Sequence, residues 1–169
     1  MTALDGLKSS FAPVAGAATR VLILGSLPGE ASLRRAQYYA HPRNQFWRLM
    51  EAVIGRGLVD LTYPERLAAL NASGVGLWDV IASARRAGSL DADIRDHRPN
   101  TLADFTAGLP ALRAIGFNGA KAYQVGAKQL GGETRLALIA LPSSSPAHAA
   151  LSFEGKREAW LRLRPFLQD

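Results

Sequence analysis

The 169-residue sequence contains no cysteine. That absence excludes a disulfide framework, a thiolate nucleophile, a Cys-bound zinc and an iron–sulfur cluster, and with them many enzyme classes. Histidine is scarce: His41, His97 and His148 are unevenly spaced and show no metal-ligand pattern, so neither a metal nor another cofactor is expected. Long apolar runs are missing as well, and residues 1–19 carry Lys8 as their one basic residue beside only a weak apolar stretch. Neither a membrane span nor a signal peptide is expected, and a cytoplasmic protein follows.

What is present fits one globular domain over residues 1–169, a monomer with a sizeable core, at 48% hydrophobic and 20% charged residues. The net charge of +6 makes a polyanion a reasonable partner, because each phosphate neutralised by Lys or Arg releases condensed counterions. Most of the cations are arginine, which suits bidentate phosphate recognition but equally reflects a GC-rich coding sequence.

Val21-Leu22-Ile23-Leu24 is a short apolar run that stops in Gly25-Ser26-Leu27-Pro28-Gly29, and it reads as a buried strand ending in a tight loop. The runs 114–117 and 136–141 also end in polar loops, Asn118-Gly119 and Pro142 to Pro146, and residues 75–81 could form another strand. Helical periodicity covers 42–54, 63–72, 102–109, 120–130 and 153–167, while the charged, glycine-containing stretch 85–98 reads as a long surface loop. Alternating strands and helices predict an α/β fold, a three-layer α/β/α sandwich around a mostly parallel sheet of about four to five strands. Ligands of such sheets bind outside the carboxyl ends of the strands, where these loops should converge.

The Gly25–Gly29 loop is followed by Tyr38-Tyr39-Ala40-His41-Pro42-Arg43-Asn44-Gln45-Phe46-Trp47. Together they resemble the first signature of the uracil-DNA glycosylase superfamily, in the form seen in its mismatch-specific branch. Leu141-Pro142-Ser143-Ser144-Ser145-Pro146-Ala147-His148 resembles the second signature. Leu27 stands where the mismatch-specific enzymes carry a water-positioning asparagine. The hypoxanthine-DNA glycosylases share the Gly-Ser-hydrophobic-Pro-Gly loop and are held to draw their catalytic amide from the Pro-Arg-Asn-x-Phe-Trp segment, which here gives Asn44. They are also similar at residues 76–81, 88–91 and 116–122, so the resemblance runs from about Val21 to Trp160. It implies a DNA glycosylase acting on deaminated bases, with DNA as partner.

Asn44 cannot ionise, but its carbonyl oxygen can accept from a water and aim it at the anomeric carbon; the competing reading is a helix N-cap. Tyr39 takes the aromatic position that stacks on an extruded base in relatives, with Tyr38 as its rival. Asn118 could offer a donor and an acceptor to the edge of a flipped base, or Asn118-Gly119 could simply be a turn. Residues 25–29 (Gly25, Ser26, Leu27, Pro28 and Gly29) can bring backbone N–H groups up to the base, though a tight strand-to-helix turn needs the same residues. Ser143, Ser144, Ser145, Pro146, Ala147 and His148 resemble the loop that presses on the DNA backbone and minor groove, with Arg43 and Lys121 as phosphate contacts. That loop lacks a long wedge residue, which implies a preference for weakly paired bases. No lysine lies inside a signature loop, so an imine-forming lyase step is not expected. Ser26 as a nucleophile with a histidine base is the other enzymatic reading, without the Gly-x-Ser-x-Gly elbow. A non-catalytic binder of damaged or single-stranded DNA is the remaining one.

Overall fold

A computed structural model describes residues 7–132 and 135–168. In chain order the elements are β1 (Leu7–Ser9), β2 (Val21–Gly25), α1 (Glu30–Arg35), α2 (Phe46–Ile54), α3 (Tyr63–Ala72), β3 (Val75–Asp79), β4 (Ile81–Arg85), β5 (Arg95–Pro99), α4 (Leu102–Ala107), β6 (Ala114–Asn118), α5 (Ala120–Leu130), β7 (Ala137–Leu141) and α6 (Phe153–Trp160). Short 3-10 turns cover Asp91–Asp93 and Leu161–Leu167.

Strands β3, β2, β6 and β7 form, in that order, a four-stranded sheet in which every pairing is parallel. A parallel sheet is covered on both faces, and strand alternation assigns each side chain to one of them. Val21 and Ile23 of β2 join Phe46, Trp47, Leu49 and Trp160 in one core, while Leu22 and Leu24 join Ile115, Phe117, Ala122 and Leu130 in the other. Helices α2 and α6 thus cover one face and α5 the other, the layered α/β architecture the alternation predicts. The N-terminus of α3 is fixed by a capping box, Thr62 accepting from the Glu65 N–H while Glu65 accepts from that of Thr62, with Pro64 in the first turn.

Several boundaries differ from the sequence expectation. Residues 75–81 are not one strand: β3 ends at Asp79, and after Val80 the chain enters β4, part of a second, antiparallel sheet ordered β1, β4, β5. The stretch 85–98 is therefore not a surface loop throughout. It contains a 3-10 turn and most of β5, whose residues Arg95–Pro99 are all exposed and so lack any apolar alternation. Arg86, in the same charged stretch, is only 2% exposed. The final helix is α-helical only to Trp160 and tightens into a 3-10 turn containing Pro165, which cannot donate to a preceding carbonyl. Helix α2 begins at Phe46 rather than Pro42, and α1 has no apolar stripe that would have announced it. No helix among the described residues is long and apolar enough to cross a membrane.

Candidate active site

Strand β2 delivers Gly25 directly beside Asp79, its partner in the parallel register with β3. A β-carbon on Gly25 would stand 2.7 Å from Asp79 Oδ1 and 3.0 Å from the Tyr39 hydroxyl, so this close approach requires glycine. The loop that follows is held from outside by a buried cation. The Arg86 guanidinium donates through Nη2 to the Pro28 carbonyl and through Nε to that of Gly88, with Nη1 3.8 Å from Asp91 Oδ1. Ser26 Oγ donates to the same Asp91 oxygen at 2.6 Å, and Ser89 Oγ accepts from the Glu30 N–H at 2.9 Å. Leu27, where an amide would be needed for the usual water-positioning role, is 6% exposed and packs among apolar side chains.

Tyr39 lies at φ +55, in the left-handed region uncommon outside glycine. Its ring stacks on Phe46, centroids 3.9 Å apart and planes inclined by 16°, and its carbonyl accepts from Trp47 Nε1 at 3.2 Å. Its neighbour Tyr38 is spent on the core: the hydroxyl donates to the Ala12 carbonyl, the backbone N–H to the Tyr63 hydroxyl, and the ring meets Phe11 edge-on. Burial and the Asp79 carboxylate push both phenols well above their ordinary range. The Tyr39 hydroxyl is buried without a hydrogen-bond partner of good geometry, although Asn118 is near enough to oppose part of that shift.

Asn44 accepts through Oδ1 from the Phe46 N–H at 2.9 Å, an Asx-type turn just ahead of α2, whose N-cap is Gln45 and carries no side-chain cap bond. An amide oxygen has two lone pairs, and the second remains for a water. Asn118 is 7% exposed and bonded twice to one residue: Nδ2 donates to Ser144 Oγ and Oδ1 accepts from the Ser144 N–H, both at 2.9 Å. One N–H and one lone pair of that amide are left. Ser144, itself 1% exposed, therefore works inside the 143–148 loop, not on its outer surface. Its carbonyl accepts from the Gln45 N–H, joining this loop to the segment carrying Asn44. Ser143 and Ser145 hydroxyls accept from backbone N–H groups two residues on. Beneath them the buried Lys156 reaches the Ser145 carbonyl at 3.4 Å, its ammonium pKa lowered by burial.

These segments enclose a cleft of about 890 Å³ at the carboxyl ends of the parallel strands. Every residue singled out in the sequence lines it: the 25–29 loop, Tyr39, Arg43, Asn44, Asn118, Lys121 and the 143–148 loop. Sequence reasoning missed Asp79, Ser89 and Asp91, which line it too. Asp79 is 3% exposed; burial and then Asp91 raise its carboxyl from 3.8 to about 7, against the opposing pull of Arg86. Its Oδ2 has no hydrogen-bond partner. Among the described residues no cluster of His, Cys, Asp and Glu could hold a metal ion.

A cleft of this kind, at strand carboxyl ends and rimmed by glycine, asparagine and serine loops, has a counterpart among known proteins. The family model of the uracil DNA glycosylase superfamily matches residues 13–164. The chain belongs to that superfamily. This glycosylase is an enzyme hydrolysing N-glycosidic bonds, and it is similar to two curated proteins named hypoxanthine DNA glycosylase. One, from Methanosarcina barkeri, is 39% identical over 155 residues, covering 90% of this chain and 95% of the relative. The other, from Methanosarcina acetivorans, is 40% identical over 156 residues, covering 91% and 96%. The solution NMR structure of a Methanosarcina acetivorans protein, described provisionally as a uracil DNA glycosylase, superposes on this glycosylase with a TM-score of 0.82. It is 37% identical, with 96% of this chain and 99% of that one covered.

Proposed function

We propose that this protein is a monofunctional glycosylase that removes deaminated bases from DNA in base excision repair, hypoxanthine foremost, with xanthine and uracil as further substrates. It acts as a single-domain monomer in the cytoplasm. The observation that carries the reading is the meeting of Asn44, Tyr39 and the two signature loops in one cleft. Near 40% identity to two proteins named for hypoxanthine supports the choice of base.

N-glycosidic hydrolysis passes through an oxocarbenium-like sugar and a base leaving with negative charge, so the protein must stabilise charge and position water. The free lone pair of Asn44 Oδ1 orients the water, and because an amide takes no proton the enzyme is slower than one with a carboxylate there. Tyr39 stacks on the extruded base with one face while Phe46 backs the other. Backbone N–H groups of the 25–29 loop hold the base's oxygen, and the remaining N–H and lone pair of Asn118 are available to its edge. Arg43, Lys121 and the 143–148 loop bear on the DNA strand beside the vacated position.

The test is single-turnover cleavage, read after alkali treatment, of matched oligonucleotides carrying hypoxanthine, xanthine or uracil, with wild type and Asn44→Ala side by side. Wild type should release hypoxanthine, and the variant should lose about 10²-fold in rate, the scale of a misplaced reactant. Binding of lesion DNA with no abasic product from wild type would overturn the reading in favour of a non-catalytic binder.

A further inference from the structure

Two polar atoms border the cleft without a hydrogen-bond partner, Asp79 Oδ2 and the Tyr39 hydroxyl. Buried polar groups are paired in nearly all native structures, so an orphaned carboxylate oxygen in a cleft marks a place where something else completes the set. Asp79 is fixed there by register: it is the last residue of β3, opposite Gly25, and its carboxylate occupies the space a side chain on Gly25 would need. The nearby cation makes no hydrogen bond to it: the Arg86 guanidinium donates through Nη2 and Nε to the Pro28 and Gly88 carbonyls, and its Nη1, 3.8 Å from Asp91, is left without a hydrogen-bond partner. The other candidates for reading a base are largely committed, Asn118 to Ser144 and Asn44 to the Phe46 N–H.

We propose that Asp79 reads the extruded base, its carboxylate accepting the ring N–H that deamination creates. Deamination of adenine to hypoxanthine, or of cytosine to uracil, turns an amidine into a lactam. The ring nitrogen beside the changed carbon goes from a lone pair to an N–H. An ionised carboxylate only accepts, so it pairs with the lactam and repels the lone pair of the undamaged base. A site built around a buried acceptor rejects the analogue lacking the matching donor far more strongly than an apolar wall could, since the acceptor is left unpaired. Guanine shares the N–H and differs at its 2-amino group, so its exclusion lies with another wall of the cleft. The charged or titratable groups facing Asp79 are Arg86 and Asp91 from the loop after β4 and the two phenols of Tyr38 and Tyr39. This specificity role rests on the glycosylase reading above.

The experiment compares hypoxanthine with unsubstituted purine in the same oligonucleotide. Purine adds no bulk and carries a lone pair at N1. Single-turnover rates are measured at about pH 8 for wild type, Asp79→Ala and Asp79→Asn, with thermal unfolding recorded for each. In Asp79→Ala, hypoxanthine release should fall about 10- to 100-fold, the range of a hydrogen bond to a charged group, while purine release changes little. In Asp79→Asn, which keeps the shape, the preference for hypoxanthine over purine should narrow, because an amide can offer either its oxygen or its N–H. Equal loss on both substrates in the variants would overturn the proposal, and so would an unchanged preference in Asp79→Asn. Failure of wild type to release any deaminated base would instead overturn the function on which it rests.

Discussion

Two loops leave the carboxyl end of the parallel sheet to form the cleft, and they are held in opposite ways. The 25–29 loop is buried through Pro28 and clamped from outside by charge: Arg86 on the Pro28 carbonyl, Asp91 on Ser26. The 143–148 loop is partly exposed and held mainly by its own short hydrogen bonds, Ser143 to the Ser145 N–H and Ser145 to the Ala147 N–H. Its deep anchors are the neutral reciprocal pair between Asn118 and Ser144 and a single cation, Lys156, on the Ser145 carbonyl. A wall that must be correct before a base arrives is braced by a buried guanidinium and a partly exposed carboxylate. A loop that meets a deformable strand is closed by bonds that can be remade.

The sharpest way to break this contrast is to remove the brace. Arg86→Met leaves the Pro28 carbonyl without its side-chain donor, Gly88 with Lys8 alone, and Asp91 without its ion-pair partner. It should destabilise the fold by about 2–3 kcal/mol, less than a fully buried pair would because Asp91 is partly exposed, and slow base release more than it weakens DNA binding. Chemical denaturation together with single-turnover rates would show it; unchanged stability would mean the first loop stands without Arg86. Next in size is a pH effect confined to the charged side. The folded Asp79 carboxyl titrates at about 7, above its ordinary 3.8, so between those values the native state holds a proton that the unfolded chain has released. Wild-type stability should therefore fall, relative to Asp79→Asn, as the pH is raised from about 5 to about 8. Hypoxanthine release should rise over the same interval as the acceptor ionises, and paired melting and rate profiles would reveal both trends. The smallest effect belongs to the other loop: Ser145→Ala should cost no more than about 1 kcal/mol, with rates within a few-fold of wild type. A larger loss in a melting assay would erase the distinction between the loops.

The parallel sheet was legible because each of its strands is a short run rich in apolar residues with a polar stop. The loops of the cleft were legible because glycine, proline and asparagine mark where such strands end. The antiparallel sheet was not, since β5 reads Arg-Asp-His-Arg-Pro and is held by backbone pairing to β4 with no apolar face to announce it. Arg86 was hidden for a related reason: within a charged stretch, one buried guanidinium looks like its solvated neighbours, and only the meeting of the 28 and 91 positions reveals it. Asp79 follows Trp78 in what reads as a strand, and its entry into the cleft depends on pairing with Gly25, a relation between distant segments. For Asn44 the spacing offered two alternatives, cap or water holder; the N-cap is Gln45, and Asn44 Oδ1 instead closes a turn on the Phe46 N–H while keeping a lone pair for water.

Adjacent strands β2 and β6 lead to opposite faces, the first by way of α1 to α2 and the second directly into α5. The gap between their departing ends is a product of connectivity, and no particular side chain is needed to open it. The place of reaction is thereby separated from the identity of the reacting group. Any segment bordering the gap can contribute the decisive atom, so an amide absent at Leu27 can be replaced by one from a neighbouring turn without moving a strand. The sheet acts as a socket, and its chemistry can migrate around the rim while the address stays the same.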